Sequence, residues 1–356
     1  MKLFITGGSG YVGTMLADQF AGRSDVDAIL LLDKESYPEL LEAHPQKDKI
    51  TFIQANLGDN DWQERVKVFA PDVIIHTAWQ IREMYGKKDL QWKWNITGSD
   101  NVFDLAFSLP SVKKLIYFST VSSYAAYPTN TIDHFFTETE GFRKSDYLYA
   151  EEKRFAEEHL KAKYEEAKKQ KESGEGNIPQ VFIVRPAALT GPRGRYMRVR
   201  FGLQSALSGQ LKQNLLHRLI SLMVSFVPVT PKWLRQYIHE DDVCNIVEMF
   251  TFTPVKGDYE IFNICPPGEA VLGPDMARAV NKKAILVFPW MVRIVFFIFW
   301  HLSRGKVPTS KGGWKSYSYP IAVDGSRLTR KTGYIYLYPS KDAFVKKEGR
   351  YAKYIK

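Results

Sequence analysis

Short apolar runs alternate with amphipathic stretches along the first half of the chain. The runs are rich in Val, Ile, Leu and Phe, as in strands that are buried on both faces. The stretches between them repeat apolar residues at helical spacing. This alternation predicts an α/β fold whose strands form a doubly wound parallel sheet. The predicted strands are Leu3–Thr6, Ala28–Leu32, Ile50–Gln54, Val73–His76, Leu115–Ser119 and Val181–Arg185, and the predicted helices are Tyr11–Ala21, Asp61–Phe69, about Lys88–Phe107 and about Lys144–Lys171.

The alternation ends near Pro192, and the rest of the chain is less regular. Arg193–Val229 has a mixed helical pattern, and Tyr259–Ile264 has the pattern of another strand. From Pro266 onward the chain is irregular and aromatic. We therefore predict one sheet domain and a smaller, mostly helical substrate-binding part. The predicted boundaries are 1–190 for the sheet domain, with 234–265 returning to it, and 191–233 together with 266–356 for the smaller part.

The N-terminal stretch Lys2–Gly13 joins the first strand to the first helix through glycines. Gly7, Gly10 and Gly13 follow the apolar residues at three-residue spacing, and the helical pattern starts at Tyr11. In such a turn one glycine permits the tight bend, one lets the backbone approach a pyrophosphate, and one lets the helix pack on the strand. The N–H groups and positive dipole end of the helix then face the phosphates. The spacing predicts a dinucleotide-binding site.

An acidic residue follows at the end of the second predicted strand. Asp33 lies twenty residues after Gly13. A carboxylate at this place can accept hydrogen bonds from both ribose hydroxyls, and it repels a 2′-phosphate. The residue therefore favours NAD as the cofactor. Because Lys34 comes next in the chain, NADP is not excluded.

Composition excludes several classes of protein. The 356 residues suffice for a full hydrophobic core, and the formal charge of +10 suits an anionic ligand. The lysines are scattered without a nucleic-acid-binding signature, so we expect no nucleic-acid partner. Cys244 and Cys265 form neither a disulfide framework nor a metal site, and no metal is expected. Because the sequence starts with a core strand, we predict no signal peptide and a cytoplasmic protein.

The segment Ala284–Leu302, AILVFPWMVRIVFFIFWHL, is strongly apolar. It carries Pro289, Arg293 and His301, and it is barely long enough to cross a bilayer. Three interpretations remain open. We favour a packed helix, then an apolar substrate wall or membrane-surface helix, and last a true membrane span. Contact with a membrane surface is therefore a secondary expectation.

The last helical pattern of the first half contains the sequence Tyr149-Ala-Glu-Glu-Lys153. Four-residue spacing places both side chains on one face of a helix. An ammonium near a phenol favours the phenolate, and such a phenol can take a proton from a substrate alcohol or return one to a carbonyl. On a charged helix, however, Tyr and Lys are usually surface residues. Tyr147 is an alternative phenol, although Glu151 rather than a lysine follows it at that spacing.

Hydroxyl residues follow the fifth predicted strand, in the run Ser119-Thr120-Val121-Ser122-Ser123. A hydroxyl at a strand end can hydrogen-bond a reacting oxygen, and the same run also suits a turn that caps its own backbone. Both interpretations stay open. In parallel sheets of this kind, ligands bind beyond the carboxyl ends of the strands. From those ends we predict cofactor contacts at Gly7, Gly10, Tyr11, Val12, Gly13, Asp33, Asn56, Leu57, His76, Thr77, Ala78, Ser119 and Pro186.

Together these motifs resemble the extended short-chain dehydrogenase/reductases, especially the NAD-dependent epimerase/dehydratase group, which acts on nucleotide sugars. The resemblance covers nearly the whole chain and implies a Rossmann sheet and an NAD cofactor. The matching segments, in the family's order, are TGGSGYVG (Thr6–Gly13), Asp33, HTAW (His76–Trp79), NITG (Asn95–Gly98), FSTVSSY (Phe118–Tyr124), YAEEK (Tyr149–Lys153), RPAALTGP (Arg185–Pro192) and RQYIHEDDV (Arg235–Val243).

The resemblance implies roles for several of these residues. Tyr149 is implied to be the catalytic acid/base, and Lys153 its activator and a ligand of the cofactor ribose, so that both also contact the cofactor. Thr120 is implied to complete the catalytic triad, with Ser122 as the alternative hydroxyl. Asn95 is implied to support the active-site helix.

A second group of residues is implied to contact the substrate, which we expect to be a small molecule. Arg235 matches an arginine that commonly binds a nucleotide-sugar phosphate, and its planar guanidinium suits a pyrophosphate. Tyr237 lies two residues beyond it, and Ser122 belongs to the same predicted set. Trp79 replaces a commoner Ala and would narrow the substrate end of the cofactor cleft. The resemblance also implies a homodimer built on the long helices before and after Ser119.

Departures from the family pattern leave three functional hypotheses. Asn56 replaces the usual Asp beside the adenine, and Val121 and Ser122 stand where dehydratases carry an acid/base pair, which argues against dehydration. The first hypothesis is an NAD-dependent epimerase or dehydrogenase of a sugar hydroxyl, preferably in a nucleotide sugar. The second is a dehydrogenase or reductase of a hydrophobic alcohol or ketone, similar to sterol dehydrogenases, which the apolar Phe288–Trp300 segment favours. The third is a non-catalytic NAD(P)-binding protein.

Overall fold

The structure is a computed structural model and describes residues 1–172, 177–193, 226–279 and 283–354. A sheet of seven parallel strands forms its centre. The strands are β1 (Lys2–Thr6), β2 (Ala28–Asp33), β3 (Ile50–Gln54), β4 (Val73–His76), β5 (Lys114–Phe118), β6 (Gln180–Pro186) and β7 (Tyr259–Ile264). Their order across the sheet is β7-β6-β5-β4-β1-β2-β3, which is the doubly wound order that the alternating pattern predicts.

The apolar run of β1 follows from its central place in the sheet. Leu3, Phe4 and Ile5 have no exposed surface. Leu3 and Ile5 face one layer of helices, in the core that includes Phe20. Phe4 faces the opposite layer, where its ring stacks on Trp62. A strand covered on both faces needs apolar residues at successive positions rather than at alternate ones.

Helices cover both faces of the sheet. The first six are α1 (Tyr11–Ala21), α2 (Glu39–Glu42), α3 (Gln63–Phe69), α4 (Lys88–Trp92), α5 (Gly98–Ser108) and α6 (Leu148–Glu172). The six that follow residue 226 are α7 (Glu240–Phe252), α8 (Gly273–Ala279), α9 (Pro289–Leu302), α10 (Gly313–Ser316), α11 (Ser326–Thr332) and α12 (Ser340–Val345). Single turns of other helix types lie at Lys47–Lys49, Lys93–Thr97, Val121–Tyr124 and Ala352–Tyr354.

The seven predicted strands are confirmed, each within one residue at either end. The helix Tyr11–Ala21 is also confirmed, whereas α6 begins at Leu148 rather than near Lys144. The preceding residues form a turn instead, because the Ser145 hydroxyl accepts a hydrogen bond from the Tyr147 N–H at 3.1 Å. The predicted helix over Lys88–Phe107 contains a π-helical turn between α4 and α5.

The second part of the chain contains short strands beside its helices. The helical pattern predicted for Arg193–Val229 is wrong at its C-terminal end, since Phe226–Val229 forms a strand parallel to Lys283–Leu286. Pro228 lies within this strand, and a proline there disfavours a helix because it lacks the N–H donor. Residues 194–225 of the pattern lie outside the described residues. The other short strands are Phe135–Phe136, Ala188–Thr190, Leu234–Arg235, Tyr237–His239, Val271–Leu272 and Ala322–Val323.

The apolar segment near residue 290 forms helix α9, but this helix is not packed in the core. Trp300 is its only buried residue, and most of its large apolar side chains are exposed. Our preference for a packed helix is therefore wrong, because a hydrophobic segment is buried only where another element covers it. None of the helices in the described ranges has the length and hydropathy that crossing a membrane requires.

A buried ion pair joins α6 to the sheet. Arg185 of β6 donates to both carboxylate oxygens of Glu157, from Nε at 3.0 Å and from Nη2 at 2.6 Å. Its Nη1 donates to the Tyr124 hydroxyl at 2.7 Å, and that hydroxyl contacts Asn263 of β7 at 3.0 Å. Arg185, Glu157 and Tyr124 are all buried. The network thereby holds one helix, two strands and the turn after β5 in fixed relative positions.

The substitution Glu157→Gln should lower the free energy of unfolding by about 3 kcal/mol, because it leaves the buried Arg185 guanidinium without a countercharge. The matched control is Glu158→Gln, whose partly exposed carboxylate pairs with Arg154 and should contribute less than about 1 kcal/mol. Urea denaturation measures both values. Equal effects of the two substitutions would contradict the structural role of the buried pair.

Candidate active site

The glycine turn after β1 is fixed by close backbone contacts. Gly7 has a φ of +73°, and a Cβ placed on it would lie 2.7 Å from the Ala78 nitrogen. A Cβ on Gly13 would collide with the Gly7 carbonyl, so that only glycine lets α1 approach the turn so closely. Among the described residues, no side chain caps the N terminus of α1 after Gly10, and its first turn has no acidic residue. The turn thus suits a pyrophosphate at the helix N terminus.

Asp33 lies beside this turn at the end of β2. Its carboxylate accepts hydrogen bonds from the backbone N–H groups of Ser9 and Glu35, both at 3.0 Å. The side chain remains partly exposed and can accept further bonds, as the ribose hydroxyls of a dinucleotide require. The Lys34 ammonium forms an ion pair with Glu35 and lies 5.0 Å from the centre of the Trp94 ring.

The ends of β3 and β4 lie beside the glycine turn of the candidate site. Asn56 is partly buried, and its side-chain oxygen accepts a hydrogen bond from the Gly58 N–H at 2.8 Å. Leu57 beside it is buried. The Thr77 hydroxyl donates to the Thr6 carbonyl at 2.7 Å and, with Ala78, closely approaches Gly7. These residues therefore shape the backbone around the turn.

The His76 side chain is held within the core of the sheet. Its ring is buried, with Nδ1 2.7 Å from the Thr6 hydroxyl and Nε2 2.9 Å from the Ser99 hydroxyl, and it stacks on Tyr117. Burial lowers the pKa of the imidazole well below its usual value, and the nearby charge of Lys153 lowers it further. The imidazole is therefore neutral, and both of its nitrogens are occupied within the core. These contacts give the side chain a structural role, and the predicted cofactor contact of His76 stays a prediction.

The Tyr149 and Thr120 side chains meet at the end of β5. Thr120 starts the turn Val121–Tyr124, where its hydroxyl accepts a hydrogen bond from the Ser122 N–H at 3.1 Å. The same side chain lies close enough to Tyr149 to lower the pKa of its phenol. Burial raises the pKa of the Tyr149 phenol, and Thr120 acts in the opposite direction. The structure thus joins the two hydroxyls that the sequence pairs, while Ser122 contributes only its backbone to this contact.

Lys153 lies one turn further along α6 and is buried. Its ammonium donates to the Phe118 carbonyl, lies 3.5 Å from the Tyr117 hydroxyl, and lies 3.6 Å from the centre of the Trp79 ring. Burial lowers its pKa well below the usual value, against the opposing effect of Glu157 and Glu152. Among the hydrogen bonds of the described residues, none joins this ammonium to the Tyr149 hydroxyl. The amine is thus held at the ends of β4 and β5.

Two buried polar atoms beside Lys153 have no hydrogen-bond partner within the described residues. They are the hydroxyl of Ser119 and the indole nitrogen of Trp79. An unpaired buried donor costs free energy, and such atoms at a strand edge are expected to bond a ligand. Together with the glycine turn and Asp33, they make the residues of this edge fit a bound dinucleotide.

Asn95 braces α6 from the neighbouring π-helical turn. Its side-chain nitrogen donates to the Glu152 carboxylate at 2.7 Å and to the Gln80 carbonyl at 3.0 Å, and its oxygen accepts from the Gln80 N–H at 2.7 Å. Gln91 donates to the same carboxylate oxygen of Glu152 at 3.1 Å. Burial raises the pKa of Glu152. These contacts support the expected role of Asn95 as a brace of the active-site helix. The sequence analysis did not predict that Glu152 accepts these bonds, because no spacing in the sequence links it to residue 95.

Arg235 lies near the phenol of Tyr147, and Tyr237 is buried in a separate apolar cluster. The Arg235 guanidinium donates to the Ser316 carbonyl at 2.6 Å, lies 5.7 Å from the Tyr317 ring, and lowers the pKa of Tyr147 against the larger effect of burial. The rings of Tyr147 and Tyr149 are 5.8 Å apart. Tyr237 instead packs in a separate apolar cluster with Trp233, Val271, Ala343 and Phe344. The predicted substrate contact of Tyr237 stays a prediction.

Further groups that the sequence did not indicate lie at the same edge. The buried carboxylate of Glu240 accepts a hydrogen bond from the Tyr11 hydroxyl and, at 3.0 Å, another from the Arg193 N–H. Glu83 and Tyr317 lie near enough to Tyr147 to raise its pKa. Glu240 lies within the matching segment RQYIHEDDV, but its contacts were not predicted, because its partners are far away in the sequence. No motif marked Glu83 or Tyr317. The remaining predicted cofactor residues, Val12 and Pro186, are partly buried at the start of α1 and the end of β6.

The model of the NAD dependent epimerase/dehydratase family matches residues 3–265. The chain belongs to this family. The match includes the glycine turn, the Thr120 and Tyr149 pair and Arg235, and it ends before Ser316 and Tyr317.

Curated relatives of the chain differ in their substrates. The chain is 32% identical over 123 residues to the decarboxylating sterol-4-alpha-carboxylate 3-dehydrogenase of Candida albicans, over 33% of this chain and 34% of that enzyme. It is 29% identical over 138 residues to the UDP-glucose 4-epimerase of Mycolicibacterium smegmatis, over 36% of this chain and 43% of that enzyme. Each match thus spans less than half of the relative's length.

Solved structures share the fold over almost the entire chain. The Bordetella bronchiseptica enzyme WbmG, crystallised with NAD and UDP, matches with a TM-score of 0.66 and 19% identity over 99% of this chain and 94% of that chain. UDP-glucuronic acid 4-epimerase from Bacillus cereus matches with a TM-score of 0.65 and 16% identity, over 97% of both chains. At these identities the likeness shows the fold.

The position of Asp33 predicts a preference between the two nicotinamide dinucleotides. In titration calorimetry, we expect NAD to bind at least about tenfold more tightly than NADP, since the carboxylate bonds the ribose hydroxyls and repels a phosphate there. The substitution Asp33→Ser should weaken NAD binding by about tenfold or more without weakening NADP binding. The control is Asp59→Ser, at a neighbouring strand end. Tighter binding of NADP by the unmodified protein would contradict the assignment.

Proposed function

We propose that this chain is an NAD-dependent oxidoreductase or epimerase that acts on a hydroxyl group of a nucleotide sugar. The observation that carries the proposal is the approach of the Thr120 side chain to the Tyr149 phenol, at the edge of the sheet where the glycine turn also lies. The family of the chain supports the reaction class. NAD, when bound, would supply the nicotinamide that accepts a hydride from the substrate carbon or returns it.

In the proposed mechanism, the Tyr149 oxygen takes the proton of the substrate hydroxyl and later gives it back. Thr120 lies close to this phenol and holds the substrate oxygen beside it. Burial makes the Tyr149 phenol a weaker acid, because it raises the pKa above its ordinary value. The Thr120 side chain acts in the opposite direction and favours the phenolate. Asn95 and Glu152 orient α6, so that Tyr149 and Lys153 keep their places.

The substrate class is argued from the surroundings of the phenols. Arg235 is partly exposed beside Tyr147 and presents a planar cation, which suits the pyrophosphate of a nucleotide sugar. Two of the relatives support this class: the Mycolicibacterium enzyme acts on UDP-glucose, and the Bordetella enzyme was crystallised with UDP. We therefore place the diphosphate near Arg235 and the sugar between it and Tyr149.

A second candidate function is the oxidation or reduction of a hydrophobic alcohol or ketone. Phe296 of the apolar helix α9 contacts Tyr317 at a ring distance of 5.2 Å, and Tyr317 contacts Arg235. An apolar wall therefore lies next to the proposed substrate position. The match to the sterol dehydrogenase of Candida albicans agrees with such a substrate.

Thermal shift assays with UDP-, GDP- and dTDP-sugars in the presence of NAD distinguish these candidates. A ligand at a hundredfold excess over its Kd adds about 2.7 kcal/mol to the free energy of unfolding, so we expect one nucleotide class to raise the Tm by several degrees. Arg235→Ala should abolish this shift, measured against its own ligand-free Tm, whereas Arg278→Ala at an exposed site should retain it. A shift with NAD and with none of the nucleotide sugars would favour the hydrophobic alcohol instead.

The pH dependence of turnover tests the effect of Thr120 on Tyr149. Activity should rise with pH as Tyr149 loses its proton. Because the Thr120 side chain lowers the pKa of Tyr149, Thr120→Val should move this rise to higher pH and reduce kcat at neutral pH by roughly 10²-fold. Ser122→Ala, which removes only the neighbouring hydroxyl, is the matched control. If the pH profile of activity in Thr120→Val were not shifted, the rise in activity with pH would come from a group other than Tyr149, which would contradict the proposed role of Thr120.

We also propose that the protein is a homodimer that buries the outer faces of α5 and α6. In the monomer these helices pack on each other, and Lys163 pairs with Asp104 across them at the surface. Light scattering should therefore give twice the chain mass. Phe155→Glu and Trp92→Glu, placed on this side, would be expected to shift the mass toward the monomer. A monomeric mass of the unmodified protein at micromolar concentration would refute the proposal.

A further inference from the structure

Helix α9 exposes an unusual amount of apolar surface. Trp290 is 62% exposed, Phe297 is 65% exposed and Leu302 is 81% exposed. Soluble proteins seldom leave so many large apolar side chains together in water, and such patches mark contact with another molecule or a membrane. The patch continues into the strand before the helix. Its members are Ile285, Leu286, Phe288, Trp290, Met291, Ile294, Val295, Phe297, Ile298 and Leu302.

The helix is firmly attached to the body of the protein on its other side. Trp300 is buried and contacts the Tyr85 ring at 5.4 Å. Phe296 contacts Tyr317, and His301 is 3.1 Å from the Tyr85 hydroxyl. The exposed side chains are therefore held on one outward surface of an ordered helix. The apolar side chains of α9 therefore form a fixed surface that can bind another surface.

The charge around this surface is positive. From residue 276 to residue 323 the sequence has eight Lys and Arg residues and no Asp or Glu. Lys315 is paired with Asp146, and Arg278 with Asp275, while Lys283, Arg293, Arg304, Lys306 and Lys311 are exposed. A second copy of the chain would bring a patch of the same sign against this one, which is unfavourable. An anionic surface is complementary to it.

The length of α9 defines how it can meet a bilayer. Its 14 residues span about 21 Å, which is shorter than the roughly 30 Å hydrocarbon core. A helix of this length with aromatic residues on its apolar face and basic residues around it lies in the plane of the membrane interface. Each nearby Lys or Arg adds attraction to anionic headgroups.

We propose that the exposed side of α9, with the residues Lys283–Phe288 before it, docks on the surface of an anionic lipid bilayer. The helix inserts its apolar side chains at the level of the headgroups, and the surrounding basic residues bind the lipid phosphates. The contacts of Phe296 with Tyr317 and of Tyr317 with Arg235 place the candidate active site next to this surface. The proposal does not depend on the substrate class.

Sedimentation of the full chain with lipid vesicles tests the proposal. The protein should bind vesicles of phosphatidylcholine mixed with phosphatidylglycerol, and it should bind much less to phosphatidylcholine alone or at high salt. Trp290→Ser combined with Phe297→Ser should lower the partition coefficient about a hundredfold, because each aromatic side chain contributes roughly tenfold. Val68→Ser combined with Ile335→Ser, at two sites that are each 83% exposed, should leave it unchanged.

A charge-reversal pair separates the electrostatic part of the binding from the apolar part. Lys283→Glu combined with Lys306→Glu should weaken binding to the anionic vesicles, whereas Lys47→Glu with Lys161→Glu, which changes the net charge equally, should weaken it less. Circular dichroism and the Tm verify that each variant is folded. Absence of vesicle binding by the unmodified protein would overturn the proposal. So would a dimer in light scattering that Trp290→Ser with Phe297→Ser converts to a monomer, since the patch would then join two copies.

Discussion

The buried bond between Arg185 and Glu157 is the constraint on which the candidate site depends. It joins the helix that carries Tyr149 and Lys153 to a central strand, and through Tyr124 it reaches the turn that begins at Thr120. Removing a charge from water is costly, so the pair must be complete to be stable. Its bidentate geometry satisfies this condition and fixes the helix in both translation and rotation. The relative position of the Tyr149 and Thr120 hydroxyls thus depends on the Arg185–Glu157 pair, which lies outside the site.

Burial then adjusts the acids and bases at this edge. It raises the pKa of the Tyr149 phenol and lowers that of the Lys153 ammonium, and each of these effects disfavours a charge in a site with little water. The Thr120 side chain opposes the first effect, and the carboxylates of Glu157 and Glu152 oppose the second. A positive charge bound beside Tyr149 would act in the same direction as Thr120 and favour the loss of the phenol proton.

The sequence predicted the features that depend on residues close together in the chain. The glycine turn, Asp33 and the seven strands follow from sterics and periodicity, and the pairing of Thr120 with Tyr149 follows from family resemblance. The contacts of Glu152, Glu240 and Tyr237 depend on residues far away in the chain, and no spacing encodes them. The sequence predicted a helix within the apolar segment but not its exposure, because burial depends on the elements that cover a helix. The core contacts of His76 were not predicted for the same reason, since its partners Thr6 and Ser99 come from separate elements.

The central claim is that Tyr149, rather than the neighbouring phenol of Tyr147, exchanges the substrate proton. The most direct measurement compares kcat of Tyr149→Phe and Tyr147→Phe with NAD and the nucleotide sugar that stabilises the protein most. We expect Tyr149→Phe to reduce kcat by 10²- to 10⁴-fold, with roughly unchanged substrate affinity, and Tyr147→Phe to act mainly on KM. Nearly normal turnover in Tyr149→Phe, together with a large loss of kcat in Tyr147→Phe, would contradict the account.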